Sequence, residues 1–471
     1  MGVCERTLAA DAPNVILMMA DDMGWGDVGF NGNKTVRTPH LDDMAKNSLR
    51  FERFYAASAV CSPTRGSCLT GRHPSRYGIP NANAGHLPAE EVTIQSLLKS
   101  KGYATGHFGK WHLGTLTKTE KDANRGGPGG AKHYAPPWER SFDVNYSTES
   151  KVPTWDPLWK PNDAKGGTWW DPIDGDGDPR KLAAPYGTSY WSSGKRVEGD
   201  LRGDDSQFIM DRAIEFIQGA TKEKKPFFAV IWFHAPHLPV VAGPRFMAMY
   251  KDEDQHSQHY KGCITALDEQ VGRLREQLRK LDAAENTMLW FCSDNGPEGS
   301  AKDPGSAGGL RGRKRDLYEG GVRVPGLLEW PVMIKAARTT NVPACTSDYL
   351  PTVVEAAGLK LPNDRPIDGI SLLPLIKGEM NERPVPIAFH FGGMIALSDN
   401  RFKLMMPAGA VAKNKKKDGD GSVMLFDLIA DRGEQKNIAD EHPTVVSEMK
   451  AILAAWRESC ERSGQGLDYH R

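Results

Sequence analysis

Cys61-Ser62-Pro63-Thr64-Arg65-Gly66 holds the side chain most able to form a covalent bond to a substrate. Pro63 suits the first turn of a helix, where its missing N–H would have no partner in any case. Cys61 then stands at that helix's N-terminus, where free amides and the helix dipole favour negative charge. Arg65, one turn along, adds a fixed cation. The pattern predicts an acidic, reactive thiol rather than a buried structural one. The other six cysteines, at 4, 68, 263, 292, 345 and 460, form no CxxC pair and no zinc spacing. So odd and sparse a set is not a disulfide framework.

Asp21-Asp22 and Asp294-Asn295 each close a continuous apolar run, Asn14–Ala20 (NVILMMA) and Thr287–Ser293 (TMLWFCS). Hard oxygen ligands at two strand ends suit Ca²⁺ or Mg²⁺ rather than zinc. Either pair alone would also serve as helix caps at a strand–helix turn. A third apolar run, 226–233, leads into His234-Ala-Pro-His237. Lys110 and His112 are two apart, so an extended segment would turn both to one face.

Apolar strands of this kind belong to sheets covered by helices on both faces. In open α/β sheets ligands gather at the carboxyl ends of strands, so three such ends rich in carboxylates and histidines predict one site. Helices alternate with the strands. Asp205–Lys222 is amphipathic, and Ile264, Leu267, Val271, Leu274, Leu278 and Leu281 form an apolar stripe at three- and four-residue steps. The expected fold is therefore α/β: a large sheet flanked by helices over residues 12–380. A smaller α+β domain is expected over 381–471, with short strands near 387–391, 394–398, 401–405 and 423–428 and a terminal helix near 443–458.

Residues 120–200 lack periodicity and carry six of the twelve Trp, which predicts a functional excursion. Trp170, with Tyr186 and Tyr190, offers faces on which a sugar could stack, although a small satellite core explains them nearly as well. The loop 81–86, which ends at His86, follows the Cys61 helix and is a second candidate for substrate contact. Residues 174–178 (DGDGD) resemble a calcium loop but lack the bidentate Glu, and read as a turn. The lysines of 413–417 read as a solvated loop. His40, His73 and His256 read as structural or surface residues.

Cys61-x-Pro-x-Arg65, followed by Gly102-Tyr-Ala-Thr-Gly-His-Phe-Gly-Lys110-Trp-His112-Leu-Gly114, closely resembles the two signatures of the type I sulfatases, nearest to the arylsulfatase A and N-acetylgalactosamine-6-sulfatase branch. The resemblance runs from Pro13 to about Trp456. It takes in Asp21-Asp22 with the following Met-Gly-Trp-Gly-Asp, Ser293-Asp-Asn-Gly296, Lys314 within Lys-Arg-Asp-Leu-Tyr-Glu-Gly-Gly321, and Phe426-Asp-Leu. It implies an alkaline-phosphatase-like fold and oxidation of Cys61 to Cα-formylglycine by a separate maturase. Asp21, Asp22, Asp294, Asn295 and the modified residue 61 would bind the metal, Ca²⁺ or, less usually, Mg²⁺. Arg65 would orient the nucleophile, Lys110 would lie beside it, and Lys314 would hold the sulfate oxygens. His112 would take the proton of the hydroxyl that expels sulfate and regenerates the aldehyde. His237, in Pro236-His237-Leu238-Pro239, would protonate the leaving alcohol, with His234 supporting the site or lining its substrate pocket.

The implied activity is hydrolysis of a sulfate monoester, with a sulfated carbohydrate as substrate. A phosphonate or phosphate monoester hydrolase on the same scaffold is one alternative. An inactive sugar-binding homologue is another, against which the intact set of Arg65, Lys110, His112, His237 and Lys314 argues.

Sixty basic and sixty acidic residues leave no net charge, so no global field draws this 471-residue chain to nucleic acid or anionic lipid. The apolar runs are far shorter than the about 20 residues of a membrane span. Leu8-Ala9-Ala10 resembles the tail of a signal-cleavage region, although an ordinary N-terminus explains it as well; a periplasmic or secreted protein is what the sulfatase resemblance implies.

Overall fold

The computed structural model describes residues 12–173, 179–410 and 423–469. Leu8-Ala9-Ala10, the 174–178 turn and the 413–417 lysines lie outside the described residues.

Ten strands form one sheet. In chain order they are β1 (Asn14–Ala20), β2 (Leu49–Phe51), β3 (Ala104–Lys110), β4 (Val144–Thr148), β5 (Tyr190–Ser192), β6 (Lys195–Arg196), β7 (Phe227–Trp232), β8 (Thr287–Ser293), β9 (Gly326–Glu329) and β10 (Arg338–Thr340). Across the sheet the order is β10-β2-β9-β8-β1-β7-β3-β4-β5-β6. The central block β8, β1, β7, β3 and β4 is parallel. It is flanked by antiparallel β9 on one side and β5 on the other.

Alternation along β1 feeds two cores. Val15, Leu17 and Met19 pack on one face with Leu69 and Tyr349, while Ile16, Met18 and Ala20 pack on the other with Ile217 and Leu267. Helix α1 (Cys61–Thr70) lies on the first face; α2 (Asp205–Lys222) and α3 (Gln255–Lys280) cover the second. The side chains of Asp204 and Asp254 accept N-terminal amides of α2 and α3, which fixes where each helix begins.

The tract 120–200 departs from the irregular excursion expected of it. Its segments β4, β5 and β6 extend the central sheet beyond β3, and Trp191 enters the main core. Trp155 packs instead in a small cluster with Ala242, Phe246 and Ala266. Strands of two to five residues are too short to show a period, so pairing to an existing edge, not local pattern, forms them.

Near the C-terminus β11 (Ile387–Phe391), β12 (Met394–Ser398), β13 (Phe402–Pro407) and β14 (Met424–Asp427) form an antiparallel sheet, followed by α4 (Pro443–Gly464). This unit shares a core with the rest of the chain: Phe389, Ala396, Met405 and Phe426 pack against Tyr55, Ala57 and Val322. Lys403 seals the join. Its buried ammonium lies 3.0 Å from a carboxylate oxygen of Glu319 and 3.0 Å from one of Glu434. Among the described residues no helix is long and apolar enough to cross a membrane.

Candidate active site

The register of the parallel block brings its carboxyl ends level: Ala20 pairs with Ser293, Met19 with Trp232, and Trp232 with Gly109. Asp21-Asp22, Asp294-Asn295, His234 and Lys110 therefore emerge along one edge. Gly109 is required for this arrangement. Its φ is +99°, and a Cβ would lie 1.9 Å from the Trp232 carbonyl oxygen. Asp22 also has a positive φ, +66°, a local strain of the kind concentrated at functional sites.

Opposite charges interlock here. Lys110 Nζ lies 2.5 Å from Asp21 Oδ2, and Arg65 Nη2 lies 2.6 Å from Asp294 Oδ2 and 3.4 Å from Asp21 Oδ2. Lys314 Nζ is 2.7 Å from Asp22 Oδ1 and 3.1 Å from Glu298 Oε2. Asn295 Nδ2 donates to Asp22 Oδ1 at 2.7 Å, and the Asp22 amide donates to Asp294 Oδ1 at 3.1 Å. Burial opposes ionisation of Asp21, but Lys110, His237, Arg65 and Lys314 together hold its carboxyl well below the usual range. Asp294 goes the other way. Burial, then the nearby charge of Asp21, pushes it up to about 7 in spite of Arg65.

Two buried oxygens, Asp21 Oδ1 and Asn295 Oδ1, have no hydrogen-bond partner. Asp21, Cys61 and Asp294 each bring a ligand atom within 4.8 Å of the others, as do Asp21, Asp22 and His237. Unpaired hard oxygens among crowded carboxylates fit a divalent cation of the Ca²⁺ or Mg²⁺ type.

Cys61 is the first residue of α1, as its motif predicts, and is buried. The predicted acidity does not hold. Burial raises the thiol's pKa, and Asp21 and Asp294 reinforce that shift against Lys110 and Lys314. The helix terminus and Arg65 do not compensate for desolvation beside two carboxylates.

The histidines divide. β3 stops at Lys110, and His112 turns with φ +57°, so extended alternation is not what orients it. It is still buried within the field of Lys110, Arg125, Arg65 and Asp21; desolvation and those cations hold it well below the usual histidine range. His237 Nδ1 lies 2.6 Å from the Leu238 carbonyl, to which it donates, and Nε2 lies 3.6 Å from Asp22 Oδ2. Burial lowers its pKa to about 3, although Asp22 and Asp21 pull it upward. His234 does not fit the substrate-contact role. It is fully buried, with Nδ1 2.7 Å from Asp205 Oδ2 and Nε2 2.7 Å from Thr148 Oγ1, so both ring nitrogens are taken.

His86 and Trp170 make their ring contacts with other residues. His86 Nδ1 lies 3.3 Å from His133 Nδ1. Trp170 packs against Tyr186 and under the Lys160 ammonium, in a separate cleft of about 910 Å³ shared with Trp169, Lys165 and Lys181. Sequence reading missed Lys151, whose charge neighbours are Lys110, Lys314, Asp22 and Asp21. It singled out the 81–86 loop but not Asn83 within it, which meets His112, and it missed Glu298, which meets Lys314. Glu298 follows the Asp294-Asn295 pair closely enough to have been suspected. Lys151 sits in a loop without a pattern.

A family model described as Sulfatase matches residues 13–359, and one described as N-sulphoglucosamine sulphohydrolase, C-terminal, matches residues 312–459. The chain is 31% identical over 412 residues to N-acetylgalactosamine-6-sulfatase of Mus musculus, covering 84% of this chain and 72% of that one. It is 31% identical to arylsulfatase G of Mus musculus over 503 aligned positions, covering 98% and 90%. The crystal structure of Ps i-CgsB in complex with k-i-k-neocarrahexaose superposes with a TM-score of 0.79 at 27% identity, over 98% of this chain and 97% of that one.

Proposed function

The chain belongs to the sulfatase family, and on that premise we propose that it cleaves a sulfate monoester of a carbohydrate with residue 61 as Cα-formylglycine and one Ca²⁺ bound beside it. The observation that carries the reading is the meeting of Asp21, Asp22, Asp294 and Asn295 with Cys61, Arg65, Lys110 and Lys314 at the ends of β1, β8 and β3.

Asp21, Asp22, Asp294 and Asn295 would hold the ion, with Asp21 Oδ1 and Asn295 Oδ1 free to turn to it. When bound, the ion draws charge from the sulfate oxygens and eases ionisation of the attacking hydroxyl, which the modified residue 61 supplies. Arg65 orients that residue. Lys110 and Lys314 counter the charge that builds on sulfate in the transition state, where preorganised cations act most strongly. Asp294, which would also hold the ion, takes the proton of the attacking hydroxyl. His237 gives its Nε2 proton to the leaving alcohol. Because its Nδ1 proton goes to the Leu238 carbonyl, Nε2 first takes a second proton from solvent, which the anionic sulfate alongside favours. His112, held neutral, removes the proton that releases sulfate.

A carbohydrate substrate draws support from the similarity to N-acetylgalactosamine-6-sulfatase and to Ps i-CgsB, whose crystal structure contains k-i-k-neocarrahexaose. Export to the periplasm or beyond, and modification of Cys61 by a separate maturase, belong to the same proposal. The test combines mass spectrometry of the Cys61 peptide, kinetics of Cys61→Ala, and turnover of matched sulfate and phosphate esters on one oligosaccharide. We expect loss of the thiol sulfur in active protein, an inactive Cys61→Ala, and strong preference for sulfate. Full activity with unmodified cysteine would overturn the nucleophile, and preference for phosphate would overturn the substrate class.

A further inference from the structure

His112 has only one ring nitrogen available for chemistry. Its Nε2 lies 2.6 Å from the side-chain oxygen of Asn83. Its Nδ1 is buried and has no hydrogen-bond partner. A neutral imidazole carries one proton, and whichever nitrogen donates leaves the other as the base.

We propose that Asn83 is a positioning residue that keeps the His112 proton on Nε2 and so makes Nδ1 the atom that accepts the proton of the residue 61 hydroxyl. In that step the O–H bond breaks, its electron pair stays on oxygen, and the proton joins Nδ1 to give an imidazolium. The inference rests on the role given to His112 above.

Three features support it. Asn83 Oδ1 also accepts a hydrogen bond from Asn124 Nδ2 at 3.1 Å, so two donors converge on one oxygen. Turning the Asn83 amide over would set its NH₂ against those groups. It would then favour a proton on Nδ1, a buried donor without an acceptor. The loop itself is pinned to His112. Arg125 Nη1 donates to the Gly85 carbonyl at 2.7 Å, Nη2 donates to the His112 carbonyl at 3.3 Å, and Nε lies 2.7 Å from Glu149 Oε1. The His112 amide in turn donates to the Glu149 carbonyl at 3.1 Å. Finally, Asn83 is held at φ +61°, a conformation Asn tolerates better than most residues. Asn83 is an exposed residue whose amide faces a buried ring, so replacing it need not disturb the core.

The test uses the mature protein and 4-nitrophenyl sulfate, with Asn83→Ala, Asn83→Asp, His112→Ala and the Asn83→Ala/His112→Ala double variant. Asn83→Ala is expected to lower kcat about 10- to 100-fold, the usual effect of losing an orienting partner, with KM changed less than about threefold. Asn83→Asp, which accepts the same hydrogen bond, should return kcat to within about threefold of the parent. In the His112→Ala background, Asn83→Ala should change nothing further, because it acts through that ring. Three results overturn the inference: an Asp variant as slow as the Ala variant, a raised KM with kcat intact, or no effect of either variant. If those occur while His112→Ala is inactive, His112 keeps its role and Asn83 loses its own. If His112→Ala turns over like the parent, both assignments fall.

Discussion

Lys403→Met is the perturbation with the clearest energetic consequence. The ammonium is completely buried between Glu319 and Glu434, 3.0 Å from each. Breaking a buried charge group by removing one partner costs about 3–5 kcal/mol. The lower end applies here, because neither carboxylate is left wholly bare. Glu319 keeps a 2.9 Å hydrogen bond from the Tyr55 hydroxyl, and Arg323 lies 3.5 Å away. Glu434, pushed by burial to about 7 even beside Lys403, can take a proton. With unfolding entropy of about 2 cal/mol/K per residue, a loss of about 3 kcal/mol lowers the melting temperature by about 3 °C in a chain of this length.

The pH dependence has a definite sign. Glu434 has a folded pKa above its unfolded value of about 4.3. The folded protein therefore binds the extra proton, and the group's contribution is most favourable below about pH 4 and lost as pH rises through 7. Without Lys403 the folded pKa climbs further, so the deficit of the variant should be small at pH 5.5 and largest above pH 7. Urea-unfolding midpoints of parent and variant at pH 5.5 and 8 measure this. A deficit below about 1 kcal/mol at pH 8, or one that grows on acidification, would refute the reasoning. Adding Glu434→Gln to Lys403→Met should recover part of the loss at pH 8.

Gly109→Ala should destabilise by more than about 2 kcal/mol, since the new Cβ meets backbone rather than a movable side chain; an unchanged unfolding midpoint would contradict the β3–β7 geometry. Chelator-treated protein should take up Ca²⁺ by titration calorimetry and gain about 2.7 kcal/mol of stability at a hundredfold excess over Kd. Asp294→Ala should abolish both effects; uptake unaffected by that change would move the cation elsewhere. His234→Ala should lower stability by about 1–3 kcal/mol by leaving Asp205 and Thr148 without their partner, with KM nearly unchanged. A tenfold rise in KM at unchanged stability would mean that the ring reaches substrate after all.

The central block was legible because continuous apolar runs and the acidic pairs that end them are local features. Their convergence followed from parallel topology, which places every carboxyl end on one edge. Local reading failed where several elements decide the outcome together. The acidity expected of Cys61 came from its own helix, but Asp21 and Asp294, from other strands, raise its pKa along with burial. His112 was expected to follow strand alternation, which ends two residues too early. Of the two roles open to His234, supporting the site or lining the pocket, its contacts with Asp205 and Thr148 at both nitrogens favour the first, which only the neighbouring elements could decide. The 81–86 loop was marked for substrate contact, but the meeting of Asn83 with His112 and the position of Lys151 were not legible, because only long-range folding brings them to the site.

The wall around residue 61 also dictates an order of events. Its sulfur sits behind groups contributed by positions as far apart as 21 and 314, and only 2% of the residue touches solvent once those are in place. If residue 61 is oxidised as proposed, the converting enzyme meets a nearly closed wall in the finished protein. On that proposal the wall forms when the strand ends dock, and conversion is expected to precede it. Protein made without the converting enzyme would remain a thiol however long it was later incubated with one, unless it were first unfolded.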